Sequence, residues 1–310
     1  VFRGDVLSDV LDQIDVRGVM TGGFAVRGPW VSRGAVSRPL KIIALVAGSA
    51  TLTVDGPGGP DGPVDLAPGD VVLLNGRTFL DVRGGIGEGV PEEQIPVEQF
   101  DSRTLTAADR LTDDVLVGGR IDVSPAGRAL LGAALPGLLH IRAAAPAATR
   151  AATLVDRLFE EAASQRLGSA FAIRQNAQLL LLEVLRAHLA QDRPSIGWLR
   201  LLTDERLAPA IALMHGEPGR AWGLVELAAA ASMSRTTFAD RFRTIAGVPP
   251  LEYLTRWRML IAQRALRDPD VRIGTLAAEL GYGSDSAFST AFKREIGVSP
   301  LHYRQRARPS

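Results

Sequence analysis

Two short runs of hydroxyl, carboxylate and cationic residues near the C-terminus carry the chemistry this chain can do. Arg235, Thr236, Thr237, Ala239, Asp240 and Arg243 form the first, and Asp285, Ser286, Ser289, Thr290 and Lys293 the second. Such groups form hydrogen bonds and neutralise charge; they do not suggest bond-breaking. Nucleophiles and metal ligands are scarce. The 310 residues include no cysteine and four histidines. That excludes disulfides, thiolate zinc sites, iron–sulfur clusters, cysteine nucleophiles and thiol-based oxidant sensing. No histidine precedes His140, so a first-row transition metal in the N-terminal part would depend on carboxylates alone, a poor donor set. No catalytic residue, metal site or cofactor is expected. His188 and His215 fall on helical faces and read as structural. The run Gly84–Gly89 lacks both the strand-to-helix setting and the following Lys-Ser/Thr of a phosphate loop.

The elements that must position the two runs form an internal repeat. Phe238 and Phe288 are 50 residues apart, as are Phe242 and Phe292, Gly247 and Gly297, Pro250 and Pro300, Leu251 and Leu301, and Tyr253 and Tyr303. Leu227-Ala228-Ala229 matches Leu276-Ala277-Ala278 at an offset of 49, one residue being added in the second turn. Each copy is one supersecondary unit. In the first, the pattern predicts a short helix over Leu224–Ala231, a turn at Ser232-Met233, and a second helix capped by Ser234 and closed at Gly247. That helix buries Phe238, Phe242 and Ile245. In the second, a short helix over Ile273–Leu280 leads through Gly281-Tyr282-Gly283 to a helix capped by Ser284 or Asp285. It buries Phe288, Phe292 and Ile296 before Gly297. Between the units, Pro250–Arg267 predicts a connecting helix with Leu254, Trp257, Leu260 or Ile261, and Leu266 on its apolar face. A short helix, a tight turn and a longer second helix have the geometry that enters a major groove about 12 Å wide. Two such units on a rigid connector can enter successive grooves, roughly 34 Å apart, without a dimer. The alternative is a plain helical bundle with an old duplication.

Charge follows the same division. Net charge is +1 overall, but residues 221–310 hold 13 Arg/Lys against 8 Asp/Glu, leaving 22 against 26 in the rest. A basic C-terminal segment on a mildly acidic body suits a polyanionic partner or a merely solvated surface. No apolar run reaches the ~20 residues of a membrane span, and the N-terminus has no signal-peptide core. A soluble, cytoplasmic protein without a membrane partner is expected.

The rest of the chain is expected to be β-rich up to about residue 125 and helical from there. Leu40–Val54 reads as two strands about a Gly-Ser turn, Gly56–Pro63 as a loop, Val64–Asn75 as strand, Pro-Gly-Asp turn and strand, and Asp114–Val123 as a strand. Arg83–Pro96 reads as a long mobile loop. Close-spaced short strands suggest a small barrel or sandwich. Thr149–Leu167 and Gly168–Gln191 read as helices. The second is apolar nearly all round, with one stripe of Ile173, Ala177, Leu180, Leu181, Val184, Leu185 and His188 and another side of Leu179, Leu182 and Leu189. Either it lies centrally in its own domain, or a second copy of the chain covers Leu179, Leu182 and Leu189. The dimer is favoured because the region is too short to wrap the helix. Residues 191–197 read as the linker.

Residues 205–310 resemble the DNA-binding domain of the AraC/XylS family of transcription regulators. The resemblance rests on Ser234…Phe238…Arg241-Phe242…Gly247…Pro250…Tyr253, then Arg258…Ala262…Leu266. It continues with Ile273…Leu276-Ala277…Gly281-Tyr282…Ser286…Phe288-Ser289…Phe292-Lys293…Gly297…Pro300…Tyr303-Arg304. It implies transcriptional regulation, with base contacts from Thr236, Ala239, Asp240, Asp285, Ser286, Ser289 and Thr290. Asp240 and Thr290 depart from the large or basic residues frequent in the family at those positions. Asp240 and Asp285 can accept from cytosine N4. Phosphate contacts are expected from Arg235, Arg243, Arg256, Arg258, Lys293, Arg294 and Arg304, while Arg241 is expected to lie against its own domain.

Residues 1–125 resemble the cupin-type sensory domain of one branch of that family, through Leu7–Leu11, Gly28-Pro29-Trp30, the Leu45–Val54 strand and Leu66–Leu73. An effector pocket there would draw on Trp30, Arg38, Arg77 and Phe79. The expected fold class is α+β multidomain. It comprises a cupin-like sensory β-barrel (1–125), a helical linker or dimerisation segment (126–200) and an all-α tandem helix-turn-helix domain (201–310). The expected partners are double-stranded DNA, a second copy of the chain, a small-molecule effector and RNA polymerase. Two other classes stay open: a cupin enzyme with a DNA-binding tail, and an architectural DNA-binding protein on a scaffold barrel.

Overall fold

Alternating and continuous apolar runs in the first half pair into two facing sheets, and the Ala- and Leu-rich remainder is helical. The computed structural model describes residues 5–14, 17–36, 40–56, 62–85, 92–94, 102–164, 166–190 and 197–307. Helix α1 (Val6–Ile14) precedes strands β1 (Arg17–Val26), β2 (Trp30–Ala35), β3 (Leu40–Ala47), β4 (Ala50–Val54), β5 (Val64–Leu66), β6 (Val71–Asn75), β7 (Phe79–Gly84) and β8 (Glu92–Gln94). After α2 (Ser102–Thr106) come β9 (Asp114–Asp122), α3 (Pro125–Ala134), β10 (Leu138–Ile141), α4 (Thr149–Ser164) and α5 (Ser169–Leu189). The remaining helices are α6 (Trp198–Leu201), α7 (Ala208–Gly216), α8 (Leu224–Ala230), α9 (Arg235–Ala246), α10 (Pro250–Ala265), α11 (Ile273–Glu279), α12 (Asp285–Ile296) and α13 (Pro300–Ala307).

The chain divides into two compact units. One comprises Val16–Val123 and Leu131–Arg193, the other Val1–Asp15, Ser124–Leu130 and Pro194–Ser310.

The first unit holds two five-stranded sheets, ordered β1-β9-β3-β6-β10 and β5-β4-β7-β2-β8. Phe24, Trp30, Ile43, Leu45, Leu52, Leu66, Val72, Leu74, Leu80, Val82 and Leu116 fill the space between them. Every residue of β3 is buried, because its second face is covered as well, α4 packing against it. That explains a near-continuous apolar run where simple alternation would leave one face wet. The Pro-Gly-Asp turn is closed by Asp70, which accepts from the N–H groups of Ala67 (3.1 Å) and Ala143 (2.8 Å) and meets His140 Nε2 at 2.8 Å.

Two expectations change here. Part of the stretch read as a mobile loop is strand: β7 runs to Gly84, and Glu92–Gln94 pairs in parallel with Trp30–Ser32 of β2. The segment read as a helical linker is not separate from the strands either. β10 pairs antiparallel with β6, with His140 opposite Val72, and α5 packs on β1 and β10. This contact with the sheets covers much of α5, so its all-round apolarity does not by itself demand a second copy. Linker residues 191–196 and the tip of the Gly56–Pro63 loop lie outside the described residues.

In the second unit, α1 packs on α7 and α10. Trp198 Nε1 donates to the Leu130 carbonyl at 3.0 Å, and the Ser124 N–H to the Ile14 carbonyl at 3.0 Å. Helices α8–α10 and α11–α13 follow the repeat.

Candidate nucleic-acid interface

The repeat survives at the level of single bonds. In the first turn the N–H of Ser232 donates to Ala229 O (3.0 Å) and that of Met233 to Ala228 O (2.9 Å). In the second, Gly281 donates to Ala278 O (3.0 Å) and Tyr282 to Ala277 O (2.9 Å). Ser232 and Gly281 both adopt a left-handed conformation, with φ of 53° and 77°. Ser232 is the one non-glycine residue with positive φ among the described residues. Ser234 then caps α9 by accepting from the Thr237 N–H, and Ser284 caps α12 by accepting from the Ala287 N–H. The second cap is therefore Ser284 and not Asp285. Asp285 opens the helix instead, its carboxylate turned toward Gly274 of α11.

Ring geometry repeats as well. Phe238–Phe242 and Phe288–Phe292 both stand 5.7 Å apart, and Phe242–Tyr253 and Phe292–Tyr303 meet edge-on at 5.5 and 5.6 Å. All four phenylalanines are fully buried. Helices α9 and α12 end at Gly247 and Gly297, both left-handed. These buried stripes fix how each helix is rotated, and hence what it turns outward.

Residues two positions off a buried stripe are rotated about 200° from it. Opposite Phe238/Phe242/Ile245 therefore runs Thr236/Asp240/Arg243, and opposite Phe288/Phe292 runs Ser286/Thr290/Lys293. All six are exposed. Each stripe reads hydroxyl, variable residue, cation, at the same spacing in both units. Arg235, Thr237 and Asp285 are also exposed, while Ala239 and Ser289 are half-buried. The Thr237 hydroxyl is engaged with the Ser234 hydroxyl at 2.8 Å.

The seven expected phosphate contacts separate into three sets. Arg235, Arg243 and Lys293 are exposed and have no hydrogen-bond or ion-pair partner among the described residues. Arg256 and Arg294 are exposed but paired, with Glu252 at 2.7 Å and Glu295 at 3.0 Å. Such surface pairs are weak and open readily to a phosphate.

Arg258 and Arg304 serve the fold instead. Arg258 donates from Nε to Pro218 O (2.6 Å) and from Nη2 to Arg220 O (2.8 Å), and its guanidinium lies 5.8 Å from the Tyr282 ring centre. Burial pulls its pKa below the usual guanidinium value. Arg304 donates to the Val271 carbonyl. Arg241 does lie against its own unit, pairing with Asp204 at 2.6 Å. Arg272 and Arg306, exposed and without a partner among the described residues, are cations that sequence reasoning left unassigned; their contribution to the basic count was the available signal.

Of the four residues expected to line an effector pocket, the three that are described each have a different setting. Trp30 is 1% exposed, meets Phe24 edge-on at 5.2 Å and donates from Nε1 to Asp114 at 2.7 Å. It is core. Arg77 is 5% exposed and donates to the carbonyls of Gly137 (3.0 Å) and Asp55 (2.6 Å). Phe79 is 44% exposed and pairs with Ala35, at the far end of the β2–β7 ladder from Trp30. Arg38 lies outside the described residues. Among the described residues no three His, Asp or Glu side chains are grouped to hold a metal ion, and no helix is long and apolar enough to cross a membrane.

A cupin family model matches residues 5–190, and a helix-turn-helix domain model matches residues 227–306. An AraC-like transcription regulator of Streptomyces lividans is 34% identical over 302 residues, covering 97% of this chain and 98% of that one. The chain belongs to the AraC family of DNA-binding transcription regulators. A second AraC-like regulator, from Streptomyces antibioticus, is 33% identical, covering 98% of this chain and 100% of that one. Among solved structures, the DNA-binding domain of AdpA in complex with a target DNA is 36% identical, covering 33% of this chain and 93% of that one, with a TM-score of 0.32. In this AraC-family chain the cupin match runs on through α4 and α5, in step with their packing on the sheets.

Proposed function

We propose that this regulator lays α9 and α12 in successive major grooves on one face of a duplex and reads sequence through the two exposed stripes. The observation that carries the reading is their equivalence: hydroxyl, variable residue and cation at the same spacing, each opposite a fully buried phenylalanine pair. Arg235, Arg243 and Lys293 supply the phosphate contacts, which position the helices without reading sequence. Thr236, Ala239, Asp240, Ser286, Ser289 and Thr290 face base edges, and Asp285 stands at the rim of the second reader. Such a protein works in the compartment that holds the DNA, the cytoplasm. Sites selected from random duplexes test the reading. At physiological salt the full chain is expected to hold its selected site about 10³-fold or more tighter than random DNA. A ratio near one would favour an architectural role.

The sandwich unit is proposed as the input, where binding of an effector biases how the readers engage DNA. A second copy of the chain is proposed to dock on α5, where Phe171 is exposed, Leu179 is 48% exposed, and Leu182 and Leu189 are half-buried. Sedimentation equilibrium of Leu179→Glu and Leu182→Glu tests this. The wild type is expected to be dimeric and the variants shifted toward monomer; unchanged variants would remove α5 from the interface.

A further inference from the structure

The two readers differ at the middle of an otherwise matched stripe. Thr236 has Ser286 as its equivalent and Arg243 has Lys293, hydroxyl for hydroxyl and cation for cation. Asp240, however, has Thr290. Asp240 is exposed, lies opposite the buried phenylalanines, and its carboxylate has no hydrogen-bond or ion-pair partner among the described residues. Arg243, one turn further on, is also without one. Asp240 is therefore neither a cap nor half of a surface pair, the two ordinary uses of an aspartate on a helix. The other acidic residues of the two reader helices are both engaged: Asp285 is turned toward Gly274, and Glu295 pairs with Arg294 at 3.0 Å.

An ionised carboxylate only accepts hydrogen bonds. In the major groove guanine presents N7 and O6 and thymine presents O4, all acceptors, whereas cytosine presents the N4 amino group and adenine N6 beside N7. A carboxylate facing a base edge thus repels guanine and thymine and selects an amino group, cytosine N4 offering it without an adjacent acceptor. A threonine hydroxyl both donates and accepts, and tolerates either kind of edge.

Resting on the two-groove reading above, we propose that Asp240 is a specificity-determining residue. It imposes an amino-bearing base, cytosine first, on the half-site under α9, while Thr290 leaves the equivalent position under α12 permissive. The operator is accordingly asymmetric although the reader is a repeat.

The test is site selection from random duplexes with the full chain and three variants, followed by competition binding on single-base substitutions. Wild type is expected to prefer cytosine at one position of one half-site by roughly tenfold or more over guanine or thymine, in the range of a good base contact. Asp240→Thr should abolish that preference and leave the other positions unchanged. Asp240→Asn, which keeps the shape and adds a donor, should move it to adenine. Thr290→Asp should create a cytosine preference at the equivalent position of the other half-site. If wild type enriches a site and Asp240→Thr and Asp240→Asn keep its base preference at every position, the inference is overturned while the DNA-reading function stands. If wild type enriches no site, the two-groove reading itself fails.

Discussion

The imidazole of His215 lies face to face on the indole of Trp257, ring centroids 3.8 Å apart and planes within 7°. Its Nε2 meets the Tyr253 hydroxyl at 2.8 Å, and Nδ1 stands 3.8 Å from a carboxylate oxygen of Asp9 on α1. Burial pushes the His215 pKa from 6.5 down to about 4, while burial, followed by the neighbouring Asp5 and Asp12 charges, raises that of Asp9. The folded unit thus keeps His215 neutral where the unfolded chain would protonate it. The stabilisation is fully present above pH 6.5 and is lost as pH falls from there to about 4. It amounts to about 3 kcal/mol at full development. Denaturant unfolding of the full chain between pH 7 and 4 is expected to show this loss in the transition of the helical unit. His215→Phe should flatten the profile over that window.

Gly281 and Ser232 hold the same turn position under different constraints. A Cβ on Gly281 would lie 2.0 Å from the Gly219 carbonyl oxygen, a backbone atom that cannot step aside. Gly281→Ala is expected to destabilise the helical unit by more than about 1 kcal/mol, the strain of a left-handed non-glycine residue adding to the clash. Ser232→Gly removes such strain and is expected to be neutral or mildly stabilising. Thermal unfolding of the two variants checks both signs.

Lys293 and Arg258 should behave differently in salt. Lys293→Ala is expected to weaken binding to all duplexes alike and to lower the slope of log affinity against log salt by about one. Arg258→Ala should leave the slope unchanged and instead lower stability, because it orphans the Pro218 and Arg220 carbonyls that the guanidinium now satisfies. Salt-titrated binding beside an unfolding curve separates the two roles.

The helix-turn-helix units were legible because periodicity, cap residues and left-handed glycines agree at fixed offsets, and Phe238, Phe242, Phe288 and Phe292 are buried as the pattern predicts. The two basic residues that turned out structural were not legible, since Arg258 and Arg304 bind backbone carbonyls brought close by tertiary crossing, and no side-chain pattern announces a carbonyl. Strand β10 escaped because Leu138–Ile141 is four residues long and follows Pro136-Gly137 inside an alanine-rich stretch. Strand β8 escaped because its residues, Glu92–Gln94, are charged or polar. Trp30 could not be assigned from sequence, because a tryptophan beside a strand serves a ligand or a core equally well until its N–H partner, Asp114, is located. The stripes opposite the phenylalanines needed only the helix rotation that the buried rings define.

Whether two readers occupy two successive grooves is read most directly from a hydroxyl-radical footprint of the full chain on its selected duplex. Two protected blocks are expected on one face, about 10–10.5 base pairs apart centre to centre. Thr236→Arg should perturb one block and Ser286→Arg the other. A single protected block, or one lost as a whole with either substitution, would contradict two-groove binding.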